Sequence, residues 1–139
     1  DIWHFGLSAL FSSDTDIAEL AKQVAADLDV PTEGIQDVRE ATEALALASL
    51  QARGFSVPQF SVLMQACNLS FEDLYRHYVG KNVLNFFRQD HGYKEGSYQK
   101  LWEGREDNEH LAELMERLDT ESDDFPSDVY SALKAKYPG

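Results

Sequence analysis

The sequence predicts an all-α fold, a helical bundle in which residues 1–139 form a single domain. Apolar residues recur at spacings of three and four along most of the chain, which is the period of amphipathic helices. No alternating apolar and polar run is long enough to predict a strand. Hydrophobic residues make up 43% of the chain, which suffices for one core.

Three helices are predicted in the first half of the chain. Residues 1–12 have the apolar spacing of a helix end, and residues 17–28 form a second helix after a turn rich in Ser and Asp. A break at Pro31 precedes the third helix, residues 35–53, which is rich in the strong helix formers Ala and Leu. Gly54 is the expected C′ residue at its end.

A short helix and a long helix are predicted next. Residues 57–67 form the short helix, with Pro58 near its start. Ser70 is the expected N-cap of the long helix, whose apolar residues again recur at spacings of three and four. The residues expected to face inward are Phe71, Leu74, Tyr75, Tyr78, Val79, Val83 and Phe86.

The last third of the chain predicts a loop and two shorter helices. Residues 90–104 have glycine at three positions and are expected to form the loop. An amphipathic helix follows over residues 106–118. Residues 119–139 consist of an acidic linker and a short helix, which covers residues 126–136.

Charge, hydropathy and cysteine content exclude several classes of protein. The formal net charge of −13 argues against binding nucleic acid over a broad surface, because DNA binding needs cations that neutralise phosphates. No apolar run approaches the roughly 18 residues of a membrane span. Cys67 is the single cysteine, so the chain has no intrachain disulfide, and a reducing, cytoplasmic location is the simpler inference.

Two groups of acidic residues have alternative interpretations. Asp37, Glu40 and Glu43 recur every three residues, so they share a helix face that either binds a cation or is simply solvated. The solvated face is the favoured interpretation. Glu106 and Asp107 open a predicted helix, where acids stabilise the positive end of the helix dipole; a cap and a catalytic role stay open for them.

Residues 81–108 concentrate cations in an otherwise acidic chain. Such a segment predicts a local anion site, because most of the remaining surface repels phosphate. A surface loop with solvated charges is the alternative. The cations are Lys81, Arg88, Lys94, Lys100 and Arg105.

The same segment resembles a family motif. Residues 81–108 contain the pattern K-N-x-L-N-x-x-R-Q-x-x-G-Y-K-x-G-x-Y-x-K-x-W-x-G-x-E-D-N, which resembles the C-terminal motif of the all-α, dimeric dUTP diphosphatases. The start of the chain, Asp1-Ile2-Trp3-His4-Phe5, is similar to a second motif of that family, in which a metal-binding Glu-x-x-Asp pair is followed closely by His-Phe. The resemblance runs from residue 1 to about residue 118.

The resemblance implies a helical bundle of the all-α NTP pyrophosphatase type and the hydrolysis of dUTP to dUMP and pyrophosphate by a homodimer with Mg²⁺. In that family, metal-bound water attacks the triphosphate and cations stabilise the developing charge. The resemblance further implies a role for each matched residue. Asp1 is the metal ligand, His4 and Phe5 border the uracil, Asn85 contacts the deoxyribose, and Lys81, Arg88, Lys94, Tyr98 and Lys100 hold the phosphates.

The chain also departs from the family pattern. The family's upstream Glu-x-x-Glu pair and the Glu three residues before Asp1 are not in this sequence, so we expect a chain truncated at its N-terminus and inactive by itself. Two other classes stay open, namely a non-catalytic nucleotide-binding remnant and an acidic helical interaction protein. In an otherwise intact enzyme, replacing Arg88 or Lys94 by Ala is expected to lower catalytic efficiency by at least roughly tenfold. The melting temperature should stay almost unchanged, because solvent-exposed cations contribute little to stability.

Overall fold

Seven helices and one short β-hairpin form the described part of the chain, which is residues 1–29 and 37–139 of a computed structural model. The predicted all-α class is confirmed. The predicted break at Pro31 and the predicted helix start at Ile35 lie outside the described residues. The chain divides into two compact units, residues 1–70 and 71–139, and the single-domain organisation stays a prediction.

The first unit is built from four helices. They are α1 (Ile2–Leu10), α2 (Ile17–Leu28), α3 (Val38–Ala52) and α4 (Val57–Ala66). Helix α4 packs against both α2 and α3, and the Ser61 hydroxyl donates a hydrogen bond of 2.7 Å to the Leu28 carbonyl. Trp3 of α1 stacks on Phe60 of α4 with ring centroids 5.2 Å apart. The core of this unit is therefore aromatic at the α1 side.

Side-chain caps explain where these helices begin. The Asp16 carboxylate accepts hydrogen bonds from the backbone N–H groups of Ala18 and Glu19, and Asp37 caps α3 by accepting from the N–H of Arg39. The predicted end of α3 needs a correction. The left-handed residue is Arg53, with φ of 51°, and Gly54 instead follows it in ordinary backbone. The chain therefore reverses without using the glycine for its special conformation.

The second unit packs three helices around a hairpin. They are α5 (Phe71–Asp90), α6 (Asp107–Met115) and α7 (Phe125–Lys136), and each packs against the other two. The core is formed by side chains of all three helices and of the hairpin. Its fully buried members are Leu84, Phe87, Trp102, Phe125, Val129 and Leu133.

The predicted inward face of α5 is partly wrong. Phe86 is 58% exposed and Phe71 is also exposed, whereas the neighbouring Phe87 is fully buried. Two consecutive phenylalanines fit the helical period almost equally well, so periodicity alone does not choose between them. Phe87 is selected because its ring meets those of Trp102, Tyr130 and Tyr137 at centroid distances of 5.2–5.9 Å.

The predicted loop over residues 90–104 is also partly wrong. Strands β1 (Leu101–Trp102) and β2 (Arg105–Glu106) pair antiparallel, with Trp102 opposite Arg105. The two residues between them, Glu103 and Gly104, have φ of 50° and 82°, the positive values of a type I′ hairpin turn. Two-residue strands are too short to show an alternating pattern in the sequence. Asp90 is the last residue of α5, and the other residues of this segment form turns or have no regular structure.

None of the helices in residues 1–29 and 37–139 is both long enough and apolar enough to cross a membrane.

We expect Gly80→Ala to lower the free energy of unfolding by about 1–3 kcal/mol, the usual cost of overpacking a core. Alanine in a helix interior normally stabilises, but a Cβ at Gly80 would collide with the Met115 sulfur, which packs against α5 there. Gly54→Ala is the matched control, because its Cβ meets only ordinary contacts. Urea denaturation of both variants measures the difference. Equal stabilities of the two variants would contradict this packing.

Candidate phosphate-binding site

One stripe of α5 presents three of the residues that the sequence assigns to nucleotide binding. Lys81, Asn85 and Arg88 stand at positions i, i+4 and i+7, so they share a face over two helical turns, about 10 Å along the axis. The adjacent stripe, which contains Leu84 and Phe87, is fully buried. The cationic stripe therefore borders the core of the second unit.

Arg88 is held by the buried carboxylate of Asp107. Its Nε donates to Asp107 Oδ2 at 2.7 Å and its Nη2 donates to Oδ1 at 2.8 Å, a bidentate pair. The Tyr98 hydroxyl donates a third hydrogen bond to Oδ2 at 2.9 Å. The Asp107 side chain is fully buried and that of Arg88 is only 13% exposed. The ring of Tyr93 lies 5.8 Å from the guanidinium carbon.

The pKa shifts follow from this geometry. Burial by itself raises the pKa of Asp107, but the hydrogen bonds from Arg88 and Tyr98 outweigh it, so the pKa lies below its ordinary value of 3.8. The hydrogen bond to Asp107 raises the pKa of Arg88. Burial, together with the bond to Asp107, raises the pKa of the Tyr98 hydroxyl well above its ordinary range. At neutral pH Asp107 is therefore a carboxylate, Arg88 is a guanidinium cation and Tyr98 is a neutral phenol.

Two lysines complete the cluster. Lys81 Nζ donates to the Asn108 side-chain oxygen at 2.6 Å, and Lys100 Nζ lies 3.1 Å from Glu106 Oε2. Burial lowers the pKa of Lys81, and the positive charges of Arg88 and Lys100 lower it further. The three cations lie close together because each contacts one of three consecutive residues, Glu106, Asp107 and Asn108. We refer to Lys81, Arg88 and Lys100 as the cation cluster.

The hairpin determines the position of Lys100 and Asp107. Trp102 is fully buried, and its indole Nε1 donates to the Gln99 carbonyl at 2.6 Å. The Asp107 N–H donates to the Lys100 carbonyl at 3.0 Å, so the strand pairing continues for one residue beyond β2. A capping box follows, in which Glu106 is the N-cap of α6 and Glu109 bonds back to its N–H. Strand and helix are therefore joined without a linker.

A second set of polar contacts connects the hairpin to α6 and α7. Arg105 forms a bidentate pair with Glu113, and Lys136 of α7 approaches the same carboxylate at 3.4 Å. The hydrogen bond from Arg105 lowers the pKa of Glu113 to about 2. His110, buried beneath, stacks on Trp102 and bonds its carbonyl at 2.8 Å through Nε2. Arg105 thus has a structural partner and lies outside the cation cluster.

The structure brings together four of the five residues predicted to hold phosphate: Lys81, Arg88, Tyr98 and Lys100. Lys94 is exposed in the turn after α5. The premise that Arg88 is solvent-exposed is wrong, because its guanidinium is bound to a buried carboxylate. The central position of Asp107 was not predicted. Its partners Arg88 and Tyr98 are 19 and 9 residues away, and only the place of Asp107 within the family motif is visible in sequence.

The residues predicted for base and metal binding belong to the first unit. Asp1 is exposed and precedes α1, and His4 and Phe5 follow in its first turn with ring centroids 5.5 Å apart. Phe5 is 70% exposed, which suits a residue that contacts a ligand or another protein. Asn85, predicted to contact the sugar, is exposed on α5 of the second unit.

The described residues do not fit a magnesium site. Within residues 1–29 and 37–139, no three His, Cys, Asp or Glu side chains gather closely enough to hold a metal ion. Asp37 caps α3, and Glu43 forms an exposed ion pair with Arg39 at 3.9 Å, so the favoured solvated interpretation of that acidic face agrees with its contacts. No catalytic step through a metal is assigned to these side chains.

The second unit therefore combines a helical fold with a cation cluster that is a candidate anion site. The family model described as dUTPase matches residues 1–93, two thirds of the chain, which therefore belongs to the dUTPase family. The matched region includes Asp1, His4 and Phe5 and the whole of α5. A comparison with curated proteins gives no significant match.

We expect Asp107→Asn to lower the free energy of unfolding by about 2–3 kcal/mol, because it leaves the mostly buried Arg88 without its counter-charge. Glu116→Gln, at the residue that follows α6, removes an equal charge from an exposed position and should change stability by no more than about 0.5 kcal/mol. Chemical denaturation followed by circular dichroism measures both. If the two variants lose equal stability, the pair has no special structural role.

The same pair should give a defined pH dependence. Since folding lowers the pKa of Asp107 below 3.8, its stabilising contribution is complete above that pH and is lost as the pH falls through the lower folded value. The difference in free energy of unfolding between the wild type and Asp107→Asn should therefore be constant from pH 7 to about pH 4 and shrink below it. Urea titrations between pH 2 and pH 7 test this. A difference that grows on acidification would contradict the assigned charge state.

Proposed function

We propose that this protein is dUTPase-like and binds dUTP or a closely related nucleotide, with the phosphates held by the second unit, and that hydrolysis to dUMP and pyrophosphate requires metal ligands in addition to Asp1. Membership of the dUTPase family supports the reaction class. The observation that carries the binding site is the cation cluster. It places three cations beside two carboxylates, Asp107 and Glu106, in a chain with a net charge of −13. A polyphosphate relieves the repulsion among those cations.

The proposed roles follow the position of each side chain. Lys81 and Lys100 have ammonium groups at the edge of the cluster and contact phosphate oxygens. Lys94 approaches from the segment after α5, and Arg88 presents the guanidinium edge that does not face Asp107. The single hydroxyl proton of Tyr98 is donated to Asp107, so Tyr98 supports the phosphate site through that carboxylate. In phosphoryl transfer, such cations stabilise the charge that develops on the phosphate oxygens.

Base, sugar and metal contacts are proposed on the family resemblance. Asn85 contacts the deoxyribose, and His4 and Phe5 border the uracil. The resemblance assigns Asp1 as one magnesium ligand, and Mg²⁺ would supply the activation of water, although the described residues by themselves do not complete such a site. The homodimer and the cytoplasmic location are likewise proposals. Exposed apolar side chains of the first unit, such as Ile17 and Leu50, offer a surface for a second copy.

We expect the 139-residue chain to bind dUTP but to release little pyrophosphate from it. Binding requires the cation cluster, whereas Asp1 is the one residue of the chain to which the resemblance assigns the metal. Calorimetry with dUTP and a pyrophosphate-release assay with Mg²⁺ separate the two properties. Rapid Mg²⁺-dependent turnover would show that other carboxylates of the chain bind the metal. Failure to bind dUTP would overturn the proposed function in favour of an acidic interaction protein.

Lys81→Gln and Lys100→Gln should each weaken dUTP binding by about tenfold or more, the equivalent of one charge-assisted hydrogen bond. Lys134→Gln is the matched control, because it removes the same charge from an exposed position near the end of α7. Calorimetric dissociation constants at one fixed ionic strength provide the comparison. An equal weakening in all three variants would indicate general electrostatics in place of a phosphate site.

A further inference from the structure

Three consecutive residues at the start of α6 each bind one member of the cation cluster. Glu106 approaches Lys100 at 3.1 Å, Asp107 binds Arg88 at 2.7 Å, and Asn108 accepts from Lys81 at 2.6 Å. The three cations come from α5 and from the residue before β1. One tripeptide thus connects every cation of the cluster, through the two carboxylates of Glu106 and Asp107 and the amide oxygen of Asn108.

The three contacts differ in burial and charge. The Asp107–Arg88 contact is bidentate and almost wholly excluded from water, and Tyr98 adds a third bond to it. The Glu106–Lys100 contact is open, with side chains 48% and 49% exposed. The Asn108–Lys81 contact involves a neutral acceptor and an exposed lysine. Exposed pairs are weak and exchange readily, whereas a buried bidentate pair resists dissociation.

We infer that Glu106, Asp107 and Asn108 are positioning residues that prepare the cation cluster for phosphate, and that they do so in two different ways. Asp107 is a fixed anchor that stays bound to Arg88 and Tyr98 in the presence of ligand. Glu106 and Asn108 are exchangeable partners, which phosphate oxygens displace from Lys100 and Lys81. This inference rests on the proposed function, since it assigns the supporting residues of the same phosphate site.

These two roles predict opposite changes in phosphate affinity when the same negative charge is removed from adjacent residues. Glu106→Gln removes a competitor of phosphate for Lys100, so affinity rises. Asp107→Asn also removes a negative charge, but it releases the guanidinium from its fixed position, so affinity falls. If only the charge near the site mattered, both variants would bind phosphate more tightly than the wild type. If Glu106 had only a structural role, Glu106→Gln would not bind phosphate more tightly.

The test is calorimetry of the 139-residue chain with pyrophosphate, at low ionic strength and with a chelator present so that metal ions do not contribute. Glu106→Gln should bind about two- to fivefold tighter, the range expected when a surface ion pair no longer competes. Asp107→Asn should bind about tenfold more weakly. Glu116→Gln, an exposed change of equal charge directly after α6, should bind like the wild type. Melting temperatures measured in parallel report the folding of each variant.

Asn108→Asp provides a further variant if Asp107→Asn does not fold, and Glu116→Gln then reports the general effect of a changed charge away from the lysines. The new carboxylate competes for Lys81 and should weaken pyrophosphate binding about two- to fivefold without lowering the melting temperature. Opposite shifts for Glu106→Gln and Asn108→Asp support the exchangeable role. If the wild type binds pyrophosphate and these two variants bind equally well, this inference alone is overturned. If the wild type does not bind pyrophosphate, the proposed phosphate site and this inference are both overturned.

Discussion

The second unit is organised around one buried interaction, the bidentate pair of Arg88 and Asp107. It joins the end of the longest described helix, α5, to the first residue of α6. A buried carboxylate without a counter-charge is strongly unfavourable, so neither element keeps its place without the other. The pair also orients the Tyr98 hydroxyl and brings Lys81 and Lys100 within electrostatic reach of each other. Structure and proposed binding therefore depend on the same two side chains.

Aromatic packing keeps this pair out of water. Phe87, the residue before Arg88, is surrounded by rings of the hairpin, of the preceding segment and of α7 and its C-terminal extension. Tyr137 stacks on Tyr98 with a 7° angle between ring planes, and its hydroxyl accepts from the Gln99 N–H at 3.2 Å. These rings of the hairpin, of the preceding segment and of α7 and its extension therefore belong to residues after residue 93, where the family match ends, whereas Phe87 itself lies within the match.

The sequence was sufficient to predict the helices because their signal is local. Helix α2 has the predicted bounds, and the other described helices differ from prediction by a few residues. The hairpin was missed because its strands are shorter than one alternating period. Phe86 and Phe87 compete for one inward position, and only the distant rings of α7 and the hairpin decide between them. Local patterns therefore predicted the elements better than their contacts.

For the candidate site too, the sequence predicted the local features better than the tertiary contacts. The concentration of cations in residues 81–108 was visible in composition, as was their match to a family motif. The pairing of each cation with one residue of a tripeptide is a tertiary property that spacings of 6–27 residues do not disclose. Consequently the solvent exposure of Arg88 was misjudged, and a residue interpreted as a cap or catalyst was found to be its buried partner.

The contrast between the cation cluster and the net charge of −13 has a kinetic consequence. An approaching polyphosphate is first repelled by the acidic surface as a whole. The cation cluster attracts it only within about 10 Å, the screening distance at 0.1 M salt. Added salt weakens the distant repulsion as well as the final contacts. Encounter should thus become faster with ionic strength while the bound state becomes shorter-lived, and residence time will respond to salt more than overall affinity does.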